Sequence, residues 1–126
     1  MSSPAVVASA LVIDCRDPRR LAEFWQSLLG GVITNHADFD VVALQAPGVS
    51  IDFVVVPDTK TAKNRWHLDL ASDDPGATVQ EALRLGAARA DDVCVSDDFT
   101  VLRDPEGNEF CVLHDANASA PWAPPQ

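Results

Sequence analysis

His67 and Asp69 stand two residues apart in Arg65-Trp66-His67-Leu68-Asp69-Leu70-Ala71, a segment that alternates apolar with polar or small residues. That period of two predicts a half-buried strand, with Leu68 and Leu70 on one face and His67, Asp69 and Ala71 on the other. An imidazole and a carboxylate presented on one face form a candidate acid–base pair, because a neighbouring carboxylate favours the imidazolium. Asp69 or Asp52 can serve as that carboxylate, and His67 is the candidate catalytic group. Ser72-Asp73-Asp74-Pro75 follows directly, with Asp74 as an N-cap and Pro75 at the first helical position. The segment is thus a strand running into a helix.

The other elements follow from similar local signals. Val6 to Asp14 is predicted to be a strand, with Leu11 and Ile13 opposite Ala10, Val12 and Asp14. Asp17-Pro18 opens a helix by the same device as Asp74-Pro75. Its apolar stripe is Leu21, Phe24, Trp25, Leu28 and Leu29, which are core positions, and Gly30-Gly31 stops it. Val32 to Thr34 is a short strand, and Asp40–Ala46 with Ser50–Val56 form a hairpin around Pro47-Gly48. Pro57 to Asn64 is polar and aperiodic and is expected to link two halves.

The second helix carries Val79, Ala82 and Leu83 inward and ends at Gly86. Val93 to Val95 is expected to be a short strand. Phe99–Arg103 and Glu109–His114 form a hairpin, with Asp104 and Asn108 as turn-makers, and Glu109 is expected in solvent, with the cavity rim as its alternative. Trp66 is expected at the helix side or an edge. The tail from Ala116 is expected to be irregular.

Both halves therefore read strand, helix, short strand, hairpin. Laying Asp17-Pro18 over Asp74-Pro75 brings Ala10 over His67, Leu11 over Leu68 and Ile13 over Leu70. Laying Gly48 over Gly107 brings Asp52 over Cys111 and Phe53 over Val112. Two copies of one supersecondary unit must stack to bury their apolar faces. Each sheet has one helix on one face, so the bare faces are expected to enclose a cavity. Asp14, Asp52, His67 and Asp69 point to a pocket there rather than to core filling.

Bulk properties narrow the partners. The chain has 126 residues, enough for one domain or two very small ones, and its formal charge is −10. So acidic a surface repels phosphate backbones and anionic lipid, which argues against nucleic acid and membranes; a cationic small molecule or a metal ion is attracted. Cys15, Cys94 and Cys111 are odd in number and lack CxxC spacing, as expected of reduced thiols in a cytoplasmic protein. Met1-Ser2-Ser3-Pro4 shows no signal-peptide pattern, and no apolar run reaches the ~20 residues that span a bilayer. No Gly-rich phosphate loop or nucleophile elbow is present.

Four motifs together resemble the vicinal oxygen chelate superfamily, which includes glyoxalase I, bleomycin-resistance proteins, fosfomycin-resistance enzymes and extradiol dioxygenases. They are Asp17-Pro18-x-x-Leu21-Ala22-x-Phe24-Trp25 with Leu29-Gly30, Lys63 to Leu70, Leu85-Gly86-Ala87, and Asp104-Pro105-Glu106-Gly107-Asn108-Glu109-Phe110. The likeness is greatest to its small glyoxalase-like bacterial members and covers about residues 6–114. It implies an α+β fold in which two tandem βαβββ modules, about 6–57 and 65–114, form a U-shaped mixed sheet around a cavity within a domain of residues 1–115.

Metal-dependent members draw ligands from the first and last strands of each module, here Ala10, Asp52, His67 and Cys111. Alanine cannot ligate, so the two histidines and carboxylate of a non-haem iron centre are not available. The resemblance thus implies a small-molecule-binding protein of the bleomycin-resistance type, homodimeric and without the full family metal site. Asp14, Asp52, His67, Asp69 and Cys111 would line its pocket, which suits a cationic or polyhydroxylated ligand. The alternative is a lyase or isomerase resembling glyoxalase I or the fosfomycin enzymes. In it His67, Asp52 and Cys111 would hold zinc, manganese or nickel.

Overall fold

The computed structural model describes residues 5–36 and 40–115, so the expectation for the tail from Ala116 lies outside the described residues. The chain divides into two compact units between Thr59 and Lys60. The first runs β1 (Leu11–Cys15), α1 (Pro18–Leu29), β2 (Val32–His36), β3 (Val41–Ala46) and β4 (Val49–Val55). The second runs β5 (Asp69–Leu70), α2 (Pro75–Arg84), β6 (Ala88–Arg89), β7 (Phe99–Arg103) and β8 (Glu109–Leu113). The sheet orders are β1-β4-β3-β2 and β5-β8-β7-β6, the same topology twice, with one parallel pair in each. The fold is α+β. Val12 pairs with Asp52 as Asp69 pairs with Cys111, so the internal repeat extends to strand register.

Both helices start as their caps dictate. The Asp17 carboxylate accepts from the Arg20 amide at 3.2 Å, and Asp74 accepts from Ala77 at 3.1 Å, each ahead of a proline. Replacing either aspartate by Ala is expected to cost about 1 kcal/mol, read as a lower urea midpoint with an unchanged slope. In the first unit Leu21, Trp25, Leu44, Ile51 and Phe53 are fully buried, and Phe24 meets Trp25 edge-on at 5.3 Å. In the second, Val79 and Ala82 of α2 are buried, as are Leu102, Phe110 and Val112 of the sheet. Among the described residues no helix is long and apolar enough to cross a membrane.

Three expectations are corrected. β1 begins at Leu11 rather than Val6, because β4, its strand partner among the described residues, is reached at Leu11↔Ile51; Val6 and Val7 are exposed. The strand around His67 shrinks to Asp69–Leu70, since among the described residues β8 alone pairs with it, and Trp66 is left 83% exposed. The short strand expected at Val93–Val95 lies instead at Ala88–Arg89, paired to β7. A turn in which the Val93 amide donates to Ala90 O takes the chain off the sheet edge just beyond it.

Candidate functional site

Strand alternation builds the site. Along β8, Phe110 and Val112 are buried on the face that α2 covers, so Glu109, Cys111 and Leu113 point to the opposite face. Register adds Phe99, Val101 and Arg103 from β7 and Asp69 from β5 to that same face. His67 precedes Asp69 by two residues, and Cys111 N donates to Leu68 O at 2.9 Å, which anchors the chain between them. A cavity of about 240 Å³ lies on this face. Its apolar wall is Val93, Phe99, Val101 and Leu113; Lys63, His67, Asp69 and Glu109 supply polar groups, and Cys94 and Cys111 supply thiols.

His67 Nε2 lies 3.2 Å from Asp69 Oδ1, with both side chains nearly half exposed. The donor atoms of His67, Asp69 and Cys111 all fall within 4.8 Å of one another. Cys111 is buried. Burial first, and then the charge of Asp69, push its thiol up to about 11. A thiol protonated at neutral pH is a poor nucleophile, so Cys111 is a neutral wall of the cavity when nothing is bound.

Glu109 was expected in solvent and is instead buried, with 4% of its side chain exposed. Its carboxylate accepts from the Asn64 amide at 2.8 Å and from Lys60 Nζ, and Arg103 Nε approaches at 3.3 Å. Burial alone would raise its pKa, but these donors outweigh burial and hold it at about 2. Lys60 and Asn64 belong to the stretch expected to be a plain linker; they fasten it to β8. The alternation Glu109-x-Cys111-x-Leu113 was the available sign that Glu109 shares the cavity face. Asp104 is the turn-maker expected, accepting from the amides of Glu106 and Asn108.

Asp14 and Asp52 lie in the first unit, on the face of its sheet away from Leu11, Ile13, Ile51 and Phe53; Asp14 is exposed and Asp52 half-buried. Ala10 precedes β1 and is exposed. His114 is held by Thr100 Oγ1 and Asp97 O, both at 2.7 Å, and is a structural histidine. Missed by sequence reasoning were Lys63, Val93, Cys94, Phe99, Val101 and Leu113, whose place on the cavity depends on strand register and on an irregular loop.

A doubled β-α-β-β-β unit with its polar groups on the sheet face away from the helix defines the vicinal oxygen chelate superfamily. The sequence profile of the glyoxalase-like domain matches residues 10–113, and the chain belongs to that family. Among solved structures, it resembles a glyoxalase/bleomycin resistance protein/dioxygenase family enzyme from Burkholderia phytofirmans, at 21% identity and TM-score 0.65, covering 82% of this chain and 94% of that one. A fosfomycin resistance protein, FosX, from Listeria monocytogenes in complex with Mn(II) and a dihydroxypropylphosphonic acid matches at 11% identity and TM-score 0.70, covering 89% and 92%. Leishmania major glyoxalase I matches at 12% and 0.63, covering 90% and 89%. No curated protein matches the chain by sequence.

Proposed function

We propose that the cavity beside Cys111 binds a small organic molecule, and that the chain is a cytoplasmic, homodimeric small-molecule-binding protein of the bleomycin-resistance type. The observation that carries this reading is the cavity itself: about 240 Å³, walled by Val93, Phe99, Val101 and Leu113 and edged by His67 and Asp69. An apolar wall with a few convergent polar groups is the usual make-up of a small-molecule site. Glu109 is paired with Lys60 and Arg103 and Lys63 lines the same cavity, so the preference for a ligand with a cationic group rests on Asp69 and the overall charge of −10. The same charge disfavours nucleic acid and anionic membranes as partners.

The test is a thermal-shift panel of small amphipathic cations and their neutral and anionic counterparts, with sedimentation to read the dimer. A binder is expected to raise the melting temperature with concentration, by an amount equivalent to about 2.7 kcal/mol at a hundredfold excess over Kd. Leu113→Trp, at a half-buried wall position, is expected to abolish the shift while leaving the circular dichroism unchanged. A shift that survives Leu113→Trp, or none across the panel, would overturn the reading.

The grouping of imidazole, carboxylate and thiol favours a second reading, a divalent-metal-dependent lyase or isomerase resembling FosX or glyoxalase I. The family resemblance names His67, Asp52 and Cys111 as its ligands, whereas the carboxylate grouped with His67 and Cys111 is Asp69. It requires metal-dependent turnover that chelation abolishes.

A further inference from the structure

We infer that the cavity beside Cys111 takes a zwitterion the size of one amino acid. Its carboxylate meets Lys63, its ammonium meets Asp69, and its apolar side chain lies against Val93, Phe99, Val101 and Leu113. The inference deepens the small-molecule reading proposed above and rests on it.

Two opposite charges line this one cavity without neutralising each other. Among the described residues the Lys63 ammonium joins no ion pair; it donates to Asn64 O at 3.0 Å, which leaves donor capacity free. Asp69 meets His67 Nε2 at 3.2 Å and accepts from the Cys111 thiol. With 49% of its side chain exposed, it keeps lone pairs for a further donor. Both charges bear on the same thiol: after burial, Asp69 pushes Cys111 up and Lys63 pulls it down. A molecule with one end of each sign satisfies both groups, whereas a simple cation leaves Lys63 facing a like charge.

Lys63 is also held in place. The chain is poor in cations, with 9 Lys and Arg against 19 Asp and Glu. Glu109 nonetheless fastens the backbone on both sides of Lys63, through a 2.9 Å ion pair with Lys60 and a 2.8 Å hydrogen bond from the Asn64 amide. Glu109 reaches the cavity too, but Lys60 and Arg103 neutralise it, so Asp69 is the carboxylate left for a ligand ammonium. The volume of about 240 Å³ falls below the roughly 300–1,000 Å³ of sites for drug-sized ligands, which limits the occupant to a short molecule.

The test is isothermal titration calorimetry of the full chain with two matched sets. One is L-leucine, isoamylamine and isocaproate; the other is L-phenylalanine, phenethylamine and hydrocinnamate. In each set the amine lacks only the carboxylate, and the acid lacks only the ammonium. The amino acid of at least one set is expected to bind about tenfold or more tighter than either analogue, the loss that a missing charge-assisted hydrogen bond brings. Lys63→Gln is expected to weaken that amino acid about tenfold and leave the amine no weaker. Asp69→Asn is expected to weaken amino acid and amine alike and leave the acid no weaker. Both side chains are exposed, so the fold is kept, which far-ultraviolet circular dichroism checks.

Amines that bind as tightly as their amino acids overturn the inference and leave the cation-binding reading standing. Lys63→Gln without effect on either amino acid overturns it as well, since Lys63 is then only a solvated lysine. Should neither amino acid bind while amphipathic cations still raise the melting temperature, and Leu113→Trp removes that rise, the inference fails and the reading beneath it survives. Absence of binding by every compound takes both.

Discussion

Glu109→Ala is expected to lower stability by about 3 kcal/mol and the melting temperature by roughly 10 °C, the largest effect of any single polar substitution near the cavity. The carboxylate has 4% of its side-chain surface exposed and faces Lys60, Arg103 and the Asn64 amide. Truncation takes the carboxylate from partly buried Lys60 and leaves the Asn64 amide without its acceptor, while Arg103 keeps its pair with Asp92, so the cost comes from Lys60 and the amide. The effect is also expected to depend on pH. Folding holds the Glu109 pKa at about 2, below its ordinary 4.5. Its contribution is thus fully present above about 4.5 and lost as pH falls from there towards 2. That shift corresponds to about 3 kcal/mol.

Urea unfolding of parent and variant at pH 7, 4.5 and 3 is expected to show the gap between them narrowing on acidification. Two parallel profiles would mean that Glu109 is not ionised against these partners in the folded state. Lys60 and Asn64 bracket Lys63 of the cavity wall, so the variant is also expected to lose affinity for whatever the cavity binds.

Gly31→Ala is expected to cost more than about 3 kcal/mol, or to yield no folded protein. Gly31 has φ +102°, in the left-handed region, and a Cβ there collides with Gln45 O and comes 2.8 Å from Ala46 Cα. Those atoms are backbone of β3, held by the Val32↔Gln45 pairing, so no side chain can swing aside. Relief requires breaking the β2–β3 register. Gly30→Ala is the control: φ is +77° but nothing lies within 4 Å, so only the conformational term of about 1–2 kcal/mol applies. Comparable melting temperatures for the two variants would refute the close backbone approach.

The amino-acid sequence by itself determined the elements and their repetition. Asp17-Pro18 and Asp74-Pro75 start helices through hydrogen bonds that span three residues, and apolar stripes and turn-formers act over similarly short stretches. Such signals are legible because their energies are local. Strand alternation also told that His67 and Asp69 share a face; that Cys111 joins them is set by the β5–β8 register.

Tertiary structure alone decided what those faces meet. β5 shortened to two residues because, among the described residues, one neighbour alone pairs with it. Asp69 came to lie beside Cys111 because the β5–β8 register sets the two opposite each other. Glu109 became buried because Lys60 and Asn64 reach it across 49 and 45 residues of chain. A charge enters the interior only when its partners arrive together, and no local pattern in the sequence records that meeting.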